Sequence, residues 1–232
     1  MPGVDLVPVP RRTVLAGGVL AGGVLAAGAG LGGESAAAAP PAPLRRLLAG
    51  NRRFVSGASA PPRRTPGDIA RLRPFAVVLG CSDAVVPPQV VFDQGAGDLV
   101  DVRVAGHAVD DLVLGSVEFA VTEFSPTLLL VLGHERCGAI TLAVEAIRRG
   151  AAAAGNLGTV VDALLPAVEP AMRASGDPVD NGVRANVGWQ IRALWQRSAL
   201  IRNRVGAGAL SVVGARYDVD TGGITLLTRG WR

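Results

Sequence analysis

Two short stretches decide how this chain is read: Phe75-Ala-Val-Val-Leu-Gly-Cys-Ser-Asp83 and Thr127-Leu-Leu-Leu-Val-Leu-Gly-His-Glu-Arg-Cys-Gly138. Each is a brief apolar run that ends in glycine and then in side chains able to hold a metal. Runs of this length, rich in aliphatic residues and closed by glycine, read as strands buried on both faces. Leu99 to Val104 is a third run of the same kind, and the sequence between the runs has helical period. Such alternation predicts an α/β fold, a central, mostly parallel β-sheet flanked by helices. The carboxyl ends of parallel strands open on the crevice where ligands bind. Cys81, Asp83, His134 and Cys137 are therefore predicted to face one site.

Outward from these runs, Gly138 to Ile147 has a helical pattern, so Cys137 stands near a helix N-terminus, where the dipole favours a thiolate. Val183, Val187, Ile191, Leu194 and Trp195 recur at helical spacing and predict a long amphipathic helix, its stripe in the core or at a subunit interface. Leu210 to Val219 and Ile224 to Thr228 flank Asp220-Thr-Gly-Gly223 and predict a closing hairpin. Ala151 to Gly158 reads as a linker of small residues.

The N-terminal segment differs in kind. Arg11-Arg12 precede a weakly apolar run, Val14 to Leu31, and an alanine tract that ends at Pro40-Pro41. A basic start, an apolar middle and small residues suited to cleavage describe an export signal, and the arginine pair gives it a twin-arginine character. Residues 1–39 are assigned to this signal, with a linker to about 43, and residues 44–232 to the domain. The expected location is periplasmic, cell-wall or extracellular. A membrane anchor is the alternative if the signal is not cleaved, but the run is at the lower limit for crossing a bilayer and rich in glycine, so no stable membrane span is expected. Gly28-x-Gly30-x-x-Gly33 matches a dinucleotide-binding pattern yet follows no strand, and reflects composition.

With 49% apolar and 18% charged residues in 232, the chain can bury a real core, which excludes intrinsic disorder and a disulfide-stapled miniprotein. All of its basic residues are arginine, its net charge is only +4, and it has no basic stripe with interleaved aromatics, so it has no nucleic-acid partner. Two cysteines and two histidines are all it holds for thiol or metal chemistry. His134 and Cys137, joined by Cys81 from a neighbouring strand, make a Cys2His set suited to tetrahedral zinc, with a water or Asp83 in the fourth position. A Cys81–Cys137 disulfide is the competing reading for an exported protein, but it leaves His134 and Asp83 without a role. Buried structural thiols fit less well, because both cysteines occupy glycine-flanked turns. His107 reads as a solvated or hydrogen-bonded loop histidine close to the same crevice.

Taken in order, the motifs resemble the β-class carbonic anhydrases: Asn51-Arg-Arg-Phe54, Cys81-Ser-Asp83, Val86-Pro-Pro88, Phe92-Asp-Gln-Gly95, Gly97-Asp-Leu99, Val102-Arg-Val-Ala-Gly106, Gly133-His-Glu-Arg-Cys-Gly138, Ala185-Asn-Val187, Val212-Val-Gly-Ala215, Tyr217-Asp218 and Asp220-Thr-Gly222. The resemblance implies one zinc per subunit held by Cys81, His134 and Cys137, and reversible hydration of carbon dioxide to bicarbonate. It makes Asp83 a gating carboxylate that either takes the fourth zinc position or swings away to an arginine two residues on. It also implies a homodimer or higher homo-oligomer, with the helices around Asn51 to Val55 and Val183 to Trp195 as candidate contacts.

The chain departs from that pattern where the gate is controlled. Val85 stands in place of the arginine, so Asp83 lacks its bidentate partner and is expected on the zinc. Leu72, in place of a glutamine that binds substrate in many relatives, can donate no hydrogen bond. His107 replaces the usual asparagine, and Asp101 adds charge to a strand that is ordinarily apolar. Two substitutes are conceivable: Arg103 could hold Asp83 in competition with Asp101, or His107 could pair with Asp83 or shuttle protons. Three readings follow: an active carbonic anhydrase, an impaired or inactive zinc-binding homologue, and a hydrolase of a related molecule such as carbonyl sulfide or carbon disulfide.

Overall fold

The apolar runs become strands because helices cover them on both faces: every residue of β1 (Ala76–Gly80) and β3 (Leu128–His134) is buried. The computed structural model describes residues 40–228. The export signal, its arginine pair and the glycine pattern at 28–33 lie outside the described residues. Two helices, α1 (Ala42–Val55) and the single-turn α2 (Pro66–Ile69), precede β1, and α3 (Pro88–Val91) leads to β2 (Leu99–Arg103). A 3-10 turn, Ala105–His107, then opens into α4 (Asp111–Phe124) before β3, and α5 (Gly138–Arg149), α6 (Leu157–Ala171), α7 (Pro178–Arg197) and α8 (Ala199–Gly206) follow it. The hairpin of β4 (Ser211–Tyr217) and β5 (Ile224–Leu226) ends the described chain. Strand order is β2-β1-β3-β4-β5, with β5 alone antiparallel.

The fold class, the long helix at 183–195 and the closing hairpin stand as expected. Two boundaries shift. The first helix starts at Ala42, with Pro43 in its opening turn, where a missing N–H costs nothing. The expected linker ends early, because Leu157 and Gly158 already belong to α6.

Alternate residues of the strands feed two cores. Val77, Leu79, Leu129, Val131 and Val212 pack against α4, α7 and α8 through Val117, Val121, Val187, Ile191, Leu194 and Ile201. Val78, Leu128, Leu130, Leu132 and Val213 pack against α1, α5 and α6 through Leu47, Ile140, Val144, Leu164 and Val168. Helix α7 lies unusually close to the sheet because glycines receive it. A Cβ at Gly133 would stand 2.8 Å from Val187 Cγ2 and 3.0 Å from Val183 Cγ1, and one at Gly214 would stand 2.7 Å from Val187 Cγ1. Both neighbours are valines, stiff at χ1 and unable to step aside.

Gly133→Ala and Gly214→Ala should therefore each destabilise the domain by about 1–3 kcal/mol in urea unfolding, through overpacking. Gly115→Ala, in open space on α4, should instead stabilise it by about 0.5–1 kcal/mol.

Candidate metal centre

Parallel pairing of β1 with β3 sets Gly80 against Leu132. The next residue of β1's chain, Cys81, therefore comes level with Gly133, one step from His134. After His134 the backbone turns through Glu135 and Arg136, the latter in the left-handed region at φ 52°, and Cys137 becomes the N-cap of α5. That turn is braced: the Glu135 carboxylate pairs with Arg216 of β4 at 3.1 Å and accepts from the Val219 N–H at 3.2 Å. Cys81, His134 and Cys137 are all buried, and one ligand atom from each lies within 4.8 Å of the others.

The donor set fits a tetrahedral metal. Both cysteines are free, with Sγ atoms 3.9 Å apart. A disulfide needs about 2.05 Å, whereas a zinc with Zn–S bonds of 2.3 Å separates its sulfurs by about 3.8 Å. The disulfide expected as the competing reading is thus absent. His134 Nδ1 lies 3.0 Å from the Glu135 carbonyl oxygen, an acceptor, so the ring proton sits on Nδ1 and Nε2 keeps its lone pair. Nε2 is buried without a hydrogen-bond partner, as an imidazole poised for a metal must be.

The sulfurs share one proton. Cys81 is shifted down, chiefly because it accepts the hydrogen bond from Cys137, while burial opposes the shift and His134 and the main-chain N–H of Gly106 support it. Cys137 is shifted up by that same hydrogen bond and by burial, although the N–H groups of Ala139 and Ile140 at the start of α5 work the other way. The two shifts run in opposite directions because one proton lies between two sulfurs 3.9 Å apart.

A family model described as carbonic anhydrase matches residues 76–224. Carbonic anhydrase 2 of Mycobacterium tuberculosis (strain H37Rv) is 38% identical over 187 residues, covering 79% of this chain and 90% of the relative. A carbonic anhydrase of Mycolicibacterium smegmatis is 36% identical over 191 residues, covering 81% and 93%. Among solved structures, a Coccomyxa β-carbonic anhydrase in complex with acetazolamide matches with a TM-score of 0.63 and 25% identity, over 79% of this chain and 86% of that one. One of two tetrameric β-carbonic anhydrases from Sordaria macrospora gives a TM-score of 0.63 at 22% identity, over 71% and 86%. The chain belongs to the β-class carbonic anhydrase family.

Within this family member, Asp83 lies at the rim of the cysteine–histidine set. Its Oδ2 is 3.9 Å from His134 Nε2, and its Oδ1 accepts from the Val85 N–H at 3.2 Å. The Val85 side chain itself is exposed. Arg103 does not take over as the carboxylate's partner. Its Nε donates to the Cys81 carbonyl at 2.8 Å and its Nη2 to the Asp83 carbonyl, so it clamps the main chain of the loop instead. Asp101 forms no ion pair with Arg103 among the described residues. Burial raises its carboxyl to about 6, opposed by a Gln89 hydrogen bond and by the charge of Arg103.

Two further expectations change. His107 is 1% exposed, burial lowers its pKa to about 4, and it makes no hydrogen bond to Asp83. Leu72 packs on Gly97, before β2, at the amino end of the sheet. A strand of this length spans about 16 Å, so residue 72 is remote from its own chain's metal centre and could reach only a centre in another subunit.

Sequence reasoning missed three groups at the centre: the Gly106 N–H, which donates to Cys81 Sγ at 3.3 Å, and Asn186 and Gln190 of α7, both buried. The last two carried a signal, since they are polar residues four apart, interleaved with the apolar stripe of that helix.

Zinc binding would displace the one proton that lies between the two sulfurs. Affinity should accordingly fall about tenfold for each pH unit of acidification below neutrality, with about one proton released per zinc. Chelator competition at several pH values, with calorimetry in buffers of different ionisation enthalpy, measures both quantities.

Proposed function

We propose that this chain is a zinc-dependent carbonic anhydrase that interconverts carbon dioxide and bicarbonate, with Cys81, His134 and Cys137 as the zinc ligands. The observation that carries the reading is the unpartnered, buried Nε2 of His134, facing two sulfurs at tetrahedral spacing, in a chain of this family. When bound, zinc lowers the pKa of a water towards neutrality and so supplies a nucleophile at physiological pH. The chain's own part is positional. Arg103 and the Glu135–Arg216 pair hold the two ligand loops, and the strands beneath them are buried.

Asp83 is the gate. Its carboxylate already leans towards His134 Nε2, and residue 85 supplies only a main-chain N–H to hold it elsewhere. A neutral amide is a weaker competitor for a carboxylate than a divalent cation, so with zinc bound Asp83 would be drawn to the fourth position, and catalysis would run well below what an open site allows. These same facts favour a second reading, a zinc protein of this fold with no catalytic role.

A homo-oligomer suits the surface. Strand β2 is an open edge, and Leu112 and Phe119 on the neighbouring α4 are 82% and 63% exposed, an apolar face that a second copy would cover. Export through the twin-arginine-like segment accords with a metal site that must fold around its ion beforehand.

Stopped-flow hydration of carbon dioxide by the zinc-loaded protein tests the enzyme reading, and measurable catalysis above background is the expected result. Val85→Arg should raise kcat/KM by about tenfold or more, by giving Asp83 a bidentate guanidinium partner. Background rates in both proteins would instead select the non-catalytic reading.

A further inference from the structure

A line of buried polar groups runs from the start of α4 to the metal centre, and its chemistry can be followed atom by atom. The Val109 main-chain N–H can only donate, and it donates to Gln190 Oε1 at 3.0 Å. The other end of that amide is therefore NH2, and it donates to Asn186 Oδ1 at 2.9 Å. Asn186 Nδ2 then has two protons to give. One goes to the Gly106 carbonyl at 2.8 Å and the other to His107 Nε2 at 3.0 Å. Because His107 Nε2 accepts, the ring's proton must lie on Nδ1.

That Nδ1–H is buried and has no hydrogen-bond partner among the described residues. Of the four buried side-chain atoms in this condition among those residues, two are carboxylate oxygens of Asp93 and Asp101 and one is the lone pair of His134 Nε2, so His107 holds the sole donor of the four. A buried donor left unsatisfied costs about 1–3 kcal/mol. The backbone is also held against preference: His107 has φ 45°, directly after Gly106 at φ 61°, a conformation that non-glycine residues rarely adopt. The same two-residue turn touches the centre, through the Gly106 N–H on Cys81 Sγ. The ring lies over Gly133, its Cε1 3.6 Å from where a Cβ there would stand.

We propose that His107 is a positioning residue of the metal centre, its Nδ1–H held by Asn186 and Gln190 as a fixed neutral donor for the Cys81 thiolate in the metal-loaded protein. The inference rests on the metal reading above and supplies what that reading lacks. An incoming metal would displace the proton between the two sulfurs. The Cys81 thiolate would then keep the Gly106 N–H, and the orphan Nδ1–H belongs to the next residue of that same turn. Burial keeps the imidazole neutral, so the donor is a dipole and not a charge that would repel the cation.

The test needs no activity measurement. In full-length protein labelled with 15N, long-range 1H–15N spectra should show His107 as the Nδ1–H tautomer from pH 6 to 8, with that resonance shifting on zinc addition. Two substitutions separate the ring's two nitrogens: Asn at 107 keeps a donor where Nδ1 stands, and Gln keeps an acceptor for Asn186 but loses that donor. By chelator competition His107→Asn should hold zinc within about threefold of the unmodified protein, and His107→Gln should lose about 10–100-fold, as happens when a group that hydrogen-bonds a metal ligand is removed. The cobalt-substituted proteins should show the thiolate-to-metal charge-transfer band moved in the Gln variant and restored in the Asn variant. An Nε2–H tautomer, a His107 signal unmoved by bound zinc, or equal zinc affinity in the Gln variant would each overturn the proposal. If His107→Gln does not fold, the spectra of the unmodified protein decide it. Failure of the unmodified protein to take up zinc at all would sink the metal reading itself, and leaves the tautomer as a separate result.

Discussion

Two sulfurs 3.9 Å apart in an apolar enclosure cannot both be anionic unless a cation lies between them. Like charges at this distance, screened by little water, repel by several kcal/mol even at a generous effective dielectric. The pair resolves the conflict by sharing a proton, and that arrangement organises its surroundings. Cys81 draws the Gly106 N–H, and Cys137 draws the N–H groups that open α5. A divalent ion would replace the shared proton with a stronger answer to the same problem, since it would neutralise both thiolates and could take the His134 lone pair as well. Metal affinity at such a centre would be a folding matter as much as a binding one.

The enclosure exists because α7 can approach the sheet. Gly133 and Gly214 leave the space that Val183 and Val187 fill, and this closeness brings Asn186 within hydrogen-bond reach of Gly106 and His107. Packing and chemistry are coupled here through adjacent residues of one helix. Its valines seal the core against the glycines, and its amides satisfy the turn that carries His107. A side chain at 133 would lift the helix and release the amides together with the valines.

How much of this is legible in the amino-acid sequence depends on whether the controlling interaction is local. The runs ending at Cys81 and at His134 could be read because strands buried on both faces are continuous apolar stretches and their glycines mark the ends. Helix α6 was harder. Pro166 and Pro170 sit within it, and each removes a backbone donor and ordinarily argues against a helix; packing of Leu164 and Val168 on the core overrides that local signal. The ligand set was readable because its spacing is chemical. The partner of Arg103 was not, since main-chain carbonyls carry no sequence signature, and its choice of the Cys81 and Asp83 carbonyls over the Asp83 carboxylate is a matter of three-dimensional reach. Leu72 shows the same limit. Nine residues from Cys81 along the chain, it is separated from it by the whole length of β1.

Asp83 illustrates how one lost guanidinium propagates. With Arg103 committed to the loop's carbonyls and Val85 turned to solvent, the carboxylate's nearest cationic prospect is the metal itself. Its side chain keeps 31% exposure, so water competes for it, and its hold on a metal would be weaker than that of the three buried residues. If Asp83 gates the centre as proposed, the gate would be set by a contest between hydration and coordination, where an arginine would make it a contest between two fixed ion pairs. Solvent is an adjustable competitor. Anything that dried the rim would move the carboxylate towards a bound metal, and anything that offered it another cation would move it away. On that reading the switch would pass from a neighbouring side chain to the environment of the site.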